Sequence, residues 1–187
     1  MMVEATTSPP RVTNIVFKIK ISDVISKLNS SPIREELQFA HHNNFHVVKG
    51  IRHLTLIVFS KSGHVNVTGV RGFHQVRDIL NLLSDVLRDP SLREEETFRN
   101  VSIVSSTATG ALNESVQIVR LLQSYHEPTD PLNLTIQRGH FPSLLIRRSD
   151  QKGCVQLFCN GRFNIVGCVS AGDIDRSWRS VLALTRT

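Results

Sequence analysis

Residues Phe141–Gly167 read FPSLLIRRSDQKGCVQLFCNGRFNIVG, and this stretch decides the fold. It divides into three short apolar runs separated by polar turns, with Pro142 beside the first Phe and Phe158 just before an Asn160-Gly161 turn. Asn-Gly between such runs is a tight-hairpin signal. A looser copy stands upstream at Phe45–Gly69, FHVVKGIRHLTLIVFSKSGHVNVTG. Each copy runs from a Phe through an apolar strand and a basic turn to a second strand that ends in Phe. A tight turn with Gly and a strand ending in Gly complete it. Two echoing cassettes predict a sheet architecture built twice.

Outward from these cassettes, Val12–Ile21 alternates cleanly, with Ile15, Phe17, Ile19 and Ile21 on one side and Asn14, Val16, Lys18 and Lys20 on the other. A period of two is the mark of a half-buried strand. Ser22–Leu28 and Pro32–Ala40 are read as short helices, the second capped by Ser31 with Pro32 at its first position. Gly72–Asp89 is the strongest helix, with Phe73, Val76, Leu80, Leu83 and Leu87 on one stripe and Pro90 closing it. Ser91–Thr97 reads as a polar connector. Phe98–Ser105 then reads as a strand, Leu112–Ser124 as a helix, and Asp173–Thr185 as a closing helix capped by Asp173.

Matching Asn14 with Asn100, Phe45 with Phe141, Phe59 with Phe158 and Gly69 with Gly167 gives offsets of 86, 96, 99 and 98 residues. A displacement of that size is a two-fold internal repeat, too long for a solenoid. The expected class is α+β, with two pseudo-symmetric β-α-β-β-β-α repeats over residues 12–92 and 93–187 behind a disordered lead at 1–11.

The chain of 187 residues is 40% hydrophobic and 20% charged, enough for one well-buried domain or two small ones. Its formal charge of +6 favours an anionic partner. Residues 1–92 hold eleven Lys and Arg against seven Asp and Glu, and residues 93–187 eleven against nine, so the positive charge is spread over both halves. No signal peptide and no run of about 18 apolar residues is visible, which predicts no membrane partner. Cys154, Cys159 and Cys168 are odd in number and fit free thiols in a reduced, intracellular setting. The histidines are scattered, and no Cys-x-x-Cys, His-Glu-x-x-His or phosphate-cradling Gly loop is present. Neither a catalytic residue, nor a metal site, nor a cofactor is expected.

If helices cover one side of each sheet, parity sends Leu54, Leu56, Val58, Val65, Val67, Val155, Leu157, Phe163 and Ile165 to the core. The other side receives Asn14, Val16, Lys18, Phe59, His64, Asn66 and Thr68, and in the second half Asn100, Ser102, Val104, Leu145, Arg147, Phe158, Arg162, Asn164 and Val166. Such a mixture of amides, β-branched side chains, cations and Phe suits a DNA minor groove. The groove floor offers mainly acceptors, which Asn and Thr can meet as donors. Cations meet the phosphates, and aromatic wedges can enter base steps and kink the duplex. A strand-ending Phe is by itself more often core than wedge, and a Lys or Arg on a sheet is more often merely solvated; recurrence in both repeats is what lifts these residues above that reading.

At these residues the chain resembles the TATA-box-binding protein family over roughly Val12–Thr187. FPSLLIR at 141–147 is similar to F-P-G-L-I-Y-R, and LFCNGRFNIVG resembles L-I-F-x-S-G-K-x-V-x-T-G. TNIV at 13–16 stands for Q-N-I-V and VNVTG at 65–69 for V-V-T-G. The resemblance implies a saddle with one curved antiparallel sheet and helices on its convex side. It implies four intercalating phenylalanines, Phe45, Phe59, Phe141 (backed by Pro142) and Phe158, central contacts from Asn14, Asn100 and Thr68, and phosphate contacts from Arg71, Arg147 and Arg162. Promoter DNA, a transcription factor IIB-like partner and a nuclear site of action, or the site of transcription in the source system, follow from the same resemblance. Several positions depart from the family. Val166 replaces the second central Thr, Asn66 and Asn164 replace valines that press on adenine edges, His64 replaces a Lys, and Ser102 stands for a Val. The acidic stirrup is rebuilt and keeps Glu127 and Asp130. Divergence of this kind points to a specialised system such as a viral or protist transcription apparatus. The alternative is a protein-interaction module that kept the scaffold and lost or reduced DNA binding.

Overall fold

The computed structural model describes residues 8–125 and 131–185. Most of the expected lead at 1–11, and both Glu127 and Asp130, lie outside the described residues. The chain divides into two compact units. The first is Asn14–Val104, and the second joins Ser105–Thr187 to the start of the chain through Thr13.

In the first unit, strands β1 (Arg11–Lys20), β2 (Gln38–His41), β3 (Phe45–Ile51), β4 (Leu54–Phe59) and β5 (His64–Val70) form an antiparallel sheet in the order β2-β3-β4-β5-β1. Helices α1 (Val24–Asn29) and α2 (Val76–Leu87) belong to the same unit. The alternation predicted for β1 is observed, since Ile15, Phe17 and Ile19 are buried and their neighbours are not. Leu54, Leu56, Val58, Val65 and Val67 are buried as parity requires. Lys27 of α1 donates to the Asp89 carboxylate just beyond α2 at 2.6 Å and ties the two helices together.

Two expectations fail here. The helix expected over Pro32–Ala40 is a single 3₁₀ turn, Arg34–Glu36, followed by β2. The Ser31 hydroxyl accepts only from the Ile33 N–H, at 3.4 Å, and residues 38–41 instead take ladder partners in β3 from Gln38↔Lys49 to His41↔His46. The connector and following strand expected from Ser91 are also different. A 3₁₀ turn (Pro90–Arg93) leads into α3 (Glu95–Arg99), and Phe98 lies in that helix under the Arg77 guanidinium, 4.3 Å from its ring centre. Glu95 and Glu96 in the first turn complement the positive helix end, and Glu95 accepts from Arg77 at 2.6 Å.

In the second unit, β6 (Ser102–Ala111), β7 (Leu132–Gln137), β8 (Ser143–Arg148), β9 (Cys154–Phe158) and β10 (Arg162–Cys168) form an antiparallel sheet in the order β6-β10-β9-β8-β7. Helix α4 (Ile118–Ser124) precedes β7, and α5 (Ala171–Thr185) packs on β9 and β10. Val155, Leu157, Phe163 and Ile165 are buried, and Phe163 stacks on Trp178 of α5 at 5.0 Å. Gly110 crosses that ring so closely that a Cβ there would lie 2.4 Å from Phe163. Helix α5 begins two residues earlier than expected. Ser170 Oγ accepts the Asp173 N–H at 3.1 Å while the Asp173 carboxylate accepts from the Ser170 hydroxyl at 2.9 Å and the Val169 N–H at 3.3 Å. Asp173 is thus the third-residue partner of a capping box and Ser170 the cap.

The α+β class and the repeated antiparallel architecture hold. Each unit adds one short outer strand, β2 or β7, to the three in its cassette.

Candidate nucleic-acid interface

Each sheet buries one face under its helices and leaves the other open. In the first unit the ladder places the open-face side chains in rows. Lys18, Asn66, Ile57, Val47 and Ala40 form one row, and Lys20, His64, Phe59 and Phe45 the next. Thr68 faces Thr55. Phe45 and Phe59 lie directly opposite each other with ring centres 6.2 Å apart, and His42 stacks on Phe45 at 4.6 Å.

Asn14 sits beside this surface in a fixed orientation. Its side-chain oxygen accepts from the Gly69 N–H at 3.0 Å and the Thr68 hydroxyl at 3.2 Å. A backbone N–H can only donate, so the oxygen must face Gly69 and the amide NH₂ is the group left to face outward. Gly69 makes this possible. It adopts φ +99° at a bulge between β5 and β1, where a Cβ would come within 2.6 Å of the His53 carbonyl oxygen. Asn66, in contrast, has its side-chain oxygen buried with no partner. Val16 is half-buried on β1, and Arg71 is exposed just past β5, its N–H donating to the Gln75 side chain.

In the second unit the open face carries Thr109, Asn164, Gln156, Leu145 and Thr135 in one row, and Thr107, Val166, Cys154, Arg147 and Asn133 in another. Phe158 faces Ser143, and Gln156 donates to the Gln137 side chain at 3.0 Å. Arg147 and Arg162 are exposed, as is Val166 at 40%. Burial pushes the Cys154 thiol up, against the lowering influence of the Arg147 charge, so it stays protonated. Phe141 and Pro142 precede β8, and Phe141 is 79% exposed.

Register corrects two pairings of the repeat. Asn100 is the C-cap of α3, with helical backbone angles, and belongs to no strand. Bulges at Gly69 and Gly167 put Ile15 opposite Val70 and Ser106 opposite Cys168, so the residue equivalent to Asn14 is Ser105. Likewise Phe45 faces Phe59 while Ser143 faces Phe158, so the equivalent of Phe45 is Ser143 and Phe141 lies two residues outside. The run Ser105, Thr107 and Thr109, at period two, was the signal available in the sequence.

Charge is segregated by element. Among the described residues none of the ten strands contains Asp or Glu, while Arg11, Lys18, Lys20, Lys49, Arg147, Arg148 and Arg162 all lie in strands. The whole chain is formally +6, so these seven leave the remainder at −1. Aligned with solved structures, the chain matches Methanococcus jannaschii TBP at a TM-score of 0.67 and 20% identity, covering 96% of this chain and 99% of that one. The two share a fold. No protein-family model and no curated protein matches the sequence. The TBP-like frame is therefore shared.

Proposed function

We propose that this chain is a non-enzymatic, TBP-like transcription initiation factor that binds A·T-rich promoter DNA through the minor groove and kinks it with Phe side chains. The observation that carries the reading is the confinement of the net positive charge to strands that hold no carboxylate. A polyanion is drawn to the cations of such sheets, Arg148 excepted since it pairs with Asp150, and not to the helical faces, where cations such as Arg77, Arg93 and Arg179 are paired with acids. The outward amide of Asn14 supports the choice of groove, because adenine N3 and thymine O2 are acceptors that need donors. Phe59 and Phe158 at strand ends, with the exposed Phe141, are the side chains suited to wedge between base steps. On this reading the protein works in the nucleus, or wherever its polymerase transcribes, together with general transcription factors of the factor IIB kind.

Fluorescence anisotropy with an A·T-rich duplex tests it across about 50–200 mM salt. Lys18, Lys20, Arg71, Arg147 and Arg162 should give a log–log slope of roughly −4.5, at about −0.9 per phosphate contact. A minor-groove ligand such as netropsin should compete. Absence of binding at low salt, or binding that ignores salt, would reject the proposal.

A further inference from the structure

Strands β2 and β3 form a hairpin whose turn, His42-Asn43-Asn44, leads into Phe45. The His42 N–H donates to the Phe45 carbonyl at 2.9 Å, so the following pair away from the turn, His41 opposite His46, is a non-hydrogen-bonded one. Side chains come closest across such a pair. Here they meet. His41 Nδ1 and His46 Nδ1 stand 2.6 Å apart, with ring centres 4.8 Å apart and the rings at 83° to each other. By strand parity both lie on the face opposite to Phe45. His42, next to His41 in sequence, turns the other way and stacks on Phe45. The Phe39 ring, two residues back on β2, is stacked on His41 with centres 6.3 Å apart and orients its plane.

A neutral imidazole carries one N–H and one bare ring nitrogen. Two Nδ1 atoms this close are held by a single proton between them, since two bare nitrogens or two N–H groups would repel. A metal ion can take that proton's place. We infer that His41 and His46 are a chelating pair for a divalent transition-metal ion of the Zn²⁺ class. Tetrahedral Zn–N bonds of about 2.0–2.1 Å set two ligand nitrogens roughly 3.3 Å apart, so the pair must part by less than about 1 Å. Small ring rotations supply this, because His41 is exposed and His46 only half-buried. Two imidazoles without a carboxylate select Zn²⁺, Ni²⁺ or Cu²⁺ over Mg²⁺ and Ca²⁺, which take oxygen ligands. Among the described residues no third His, Cys, Asp or Glu joins the pair, so water completes the shell and the ion can exchange. Its effect is to staple β2, a strand of only four residues, to β3.

Titration of the full chain with ZnCl₂, followed by NMR of the histidine rings, tests this. The His41 and His46 signals should move together and saturate before those of the other histidines. His41→Ala and His46→Ala should each weaken Zn²⁺ binding by at least roughly tenfold, because the second ligand joins at high effective concentration. His46→Cys, which keeps a ligand, should retain binding, and His53→Ala, in the turn after β3, should match the parent. Zn²⁺ should also raise the melting temperature of the parent, and at the same concentration not that of the Ala variants. Zn²⁺ affinity unchanged in either Ala variant, an equal response to Mg²⁺, or earlier movement of other histidine rings would overturn the proposal.

Discussion

Asn14 acquires its direction from two neighbours, the Gly69 N–H and the Thr68 hydroxyl, which together hold its oxygen and leave its NH₂ to face outward. Replacing Asn14 by Ala should weaken binding to an A·T-rich duplex by about 1–3 kcal/mol. Asn100→Ala, at the C-cap of α3, should leave binding unchanged in the same anisotropy titration at fixed salt. Equal losses for the two variants would refute the assignment. Asn66 poses the opposite problem, because its buried oxygen lacks any partner. An unmet buried acceptor costs about 1–3 kcal/mol, and a β-branched residue suits the strand. Asn66→Val should therefore raise the urea midpoint, by about 1 kcal/mol of unfolding free energy. The same change should sharpen discrimination against a G·C-substituted site. A destabilised Asn66→Val would mean that the oxygen has a partner in solution.

Elements are held at their ends, and their ends titrate. Burial would raise the Asp89 carboxyl, but hydrogen bonds from Lys27 and Ser91, with the Lys27 charge, outweigh it and hold the group below its usual value. Burial likewise opposes, and is outweighed by, the Ser170, Val169 and Arg176 bonds at Asp173, which also lies below its ordinary range. A folded-state value below the unfolded one means that the stability is fully present above about pH 4. It is lost as pH falls through the folded value. Unfolding free energy should accordingly decline below about pH 4, and Asp89→Asn with Asp173→Asn should flatten that decline. Each should cost about 1–2 kcal/mol at neutral pH, measured by urea denaturation across the pH series. An unchanged acid limb would show that these carboxylates gain nothing on folding. Legibility also belongs to this scale. Strands β1, β3, β4, β5, β9 and β10 could be read from period two, and α2 from its apolar stripe, because each buries one face along its whole length. β2 and α3 could not, since four and five residues are too few for a pattern and tertiary partners choose their state. The site was legible by face but not by register. Asn14 was matched to Asn100 and Phe45 to Phe141 by residue type, whereas only the ladder and its bulges show that Ser105 and Ser143 hold those places.

For the molecule as a whole, the decisive quantity is where its charge lies. Seven strand cations face no strand carboxylate, and the rest of the chain is formally −1. Net charge alone would predict a diffuse attraction to DNA. Segregation predicts one that can be removed unit by unit. Lys18→Gln with Lys20→Gln empties two cationic positions from the open face of the first unit, and Arg147→Gln with Arg162→Gln two from the second. Each pair should make the salt slope shallower by up to roughly 2, since each phosphate contact contributes about −0.9. Arg93→Gln with Arg99→Gln removes the same formal charge from the connector between the cassettes, where Arg93 bonds Asp85 and Arg99 approaches Glu95. Those two cations are already answered by acids, so their loss should leave the slope as it was. Were the control pair to flatten the slope as much as either sheet pair, binding would follow total charge and not the sheets, and the open faces would lose their claim to the DNA.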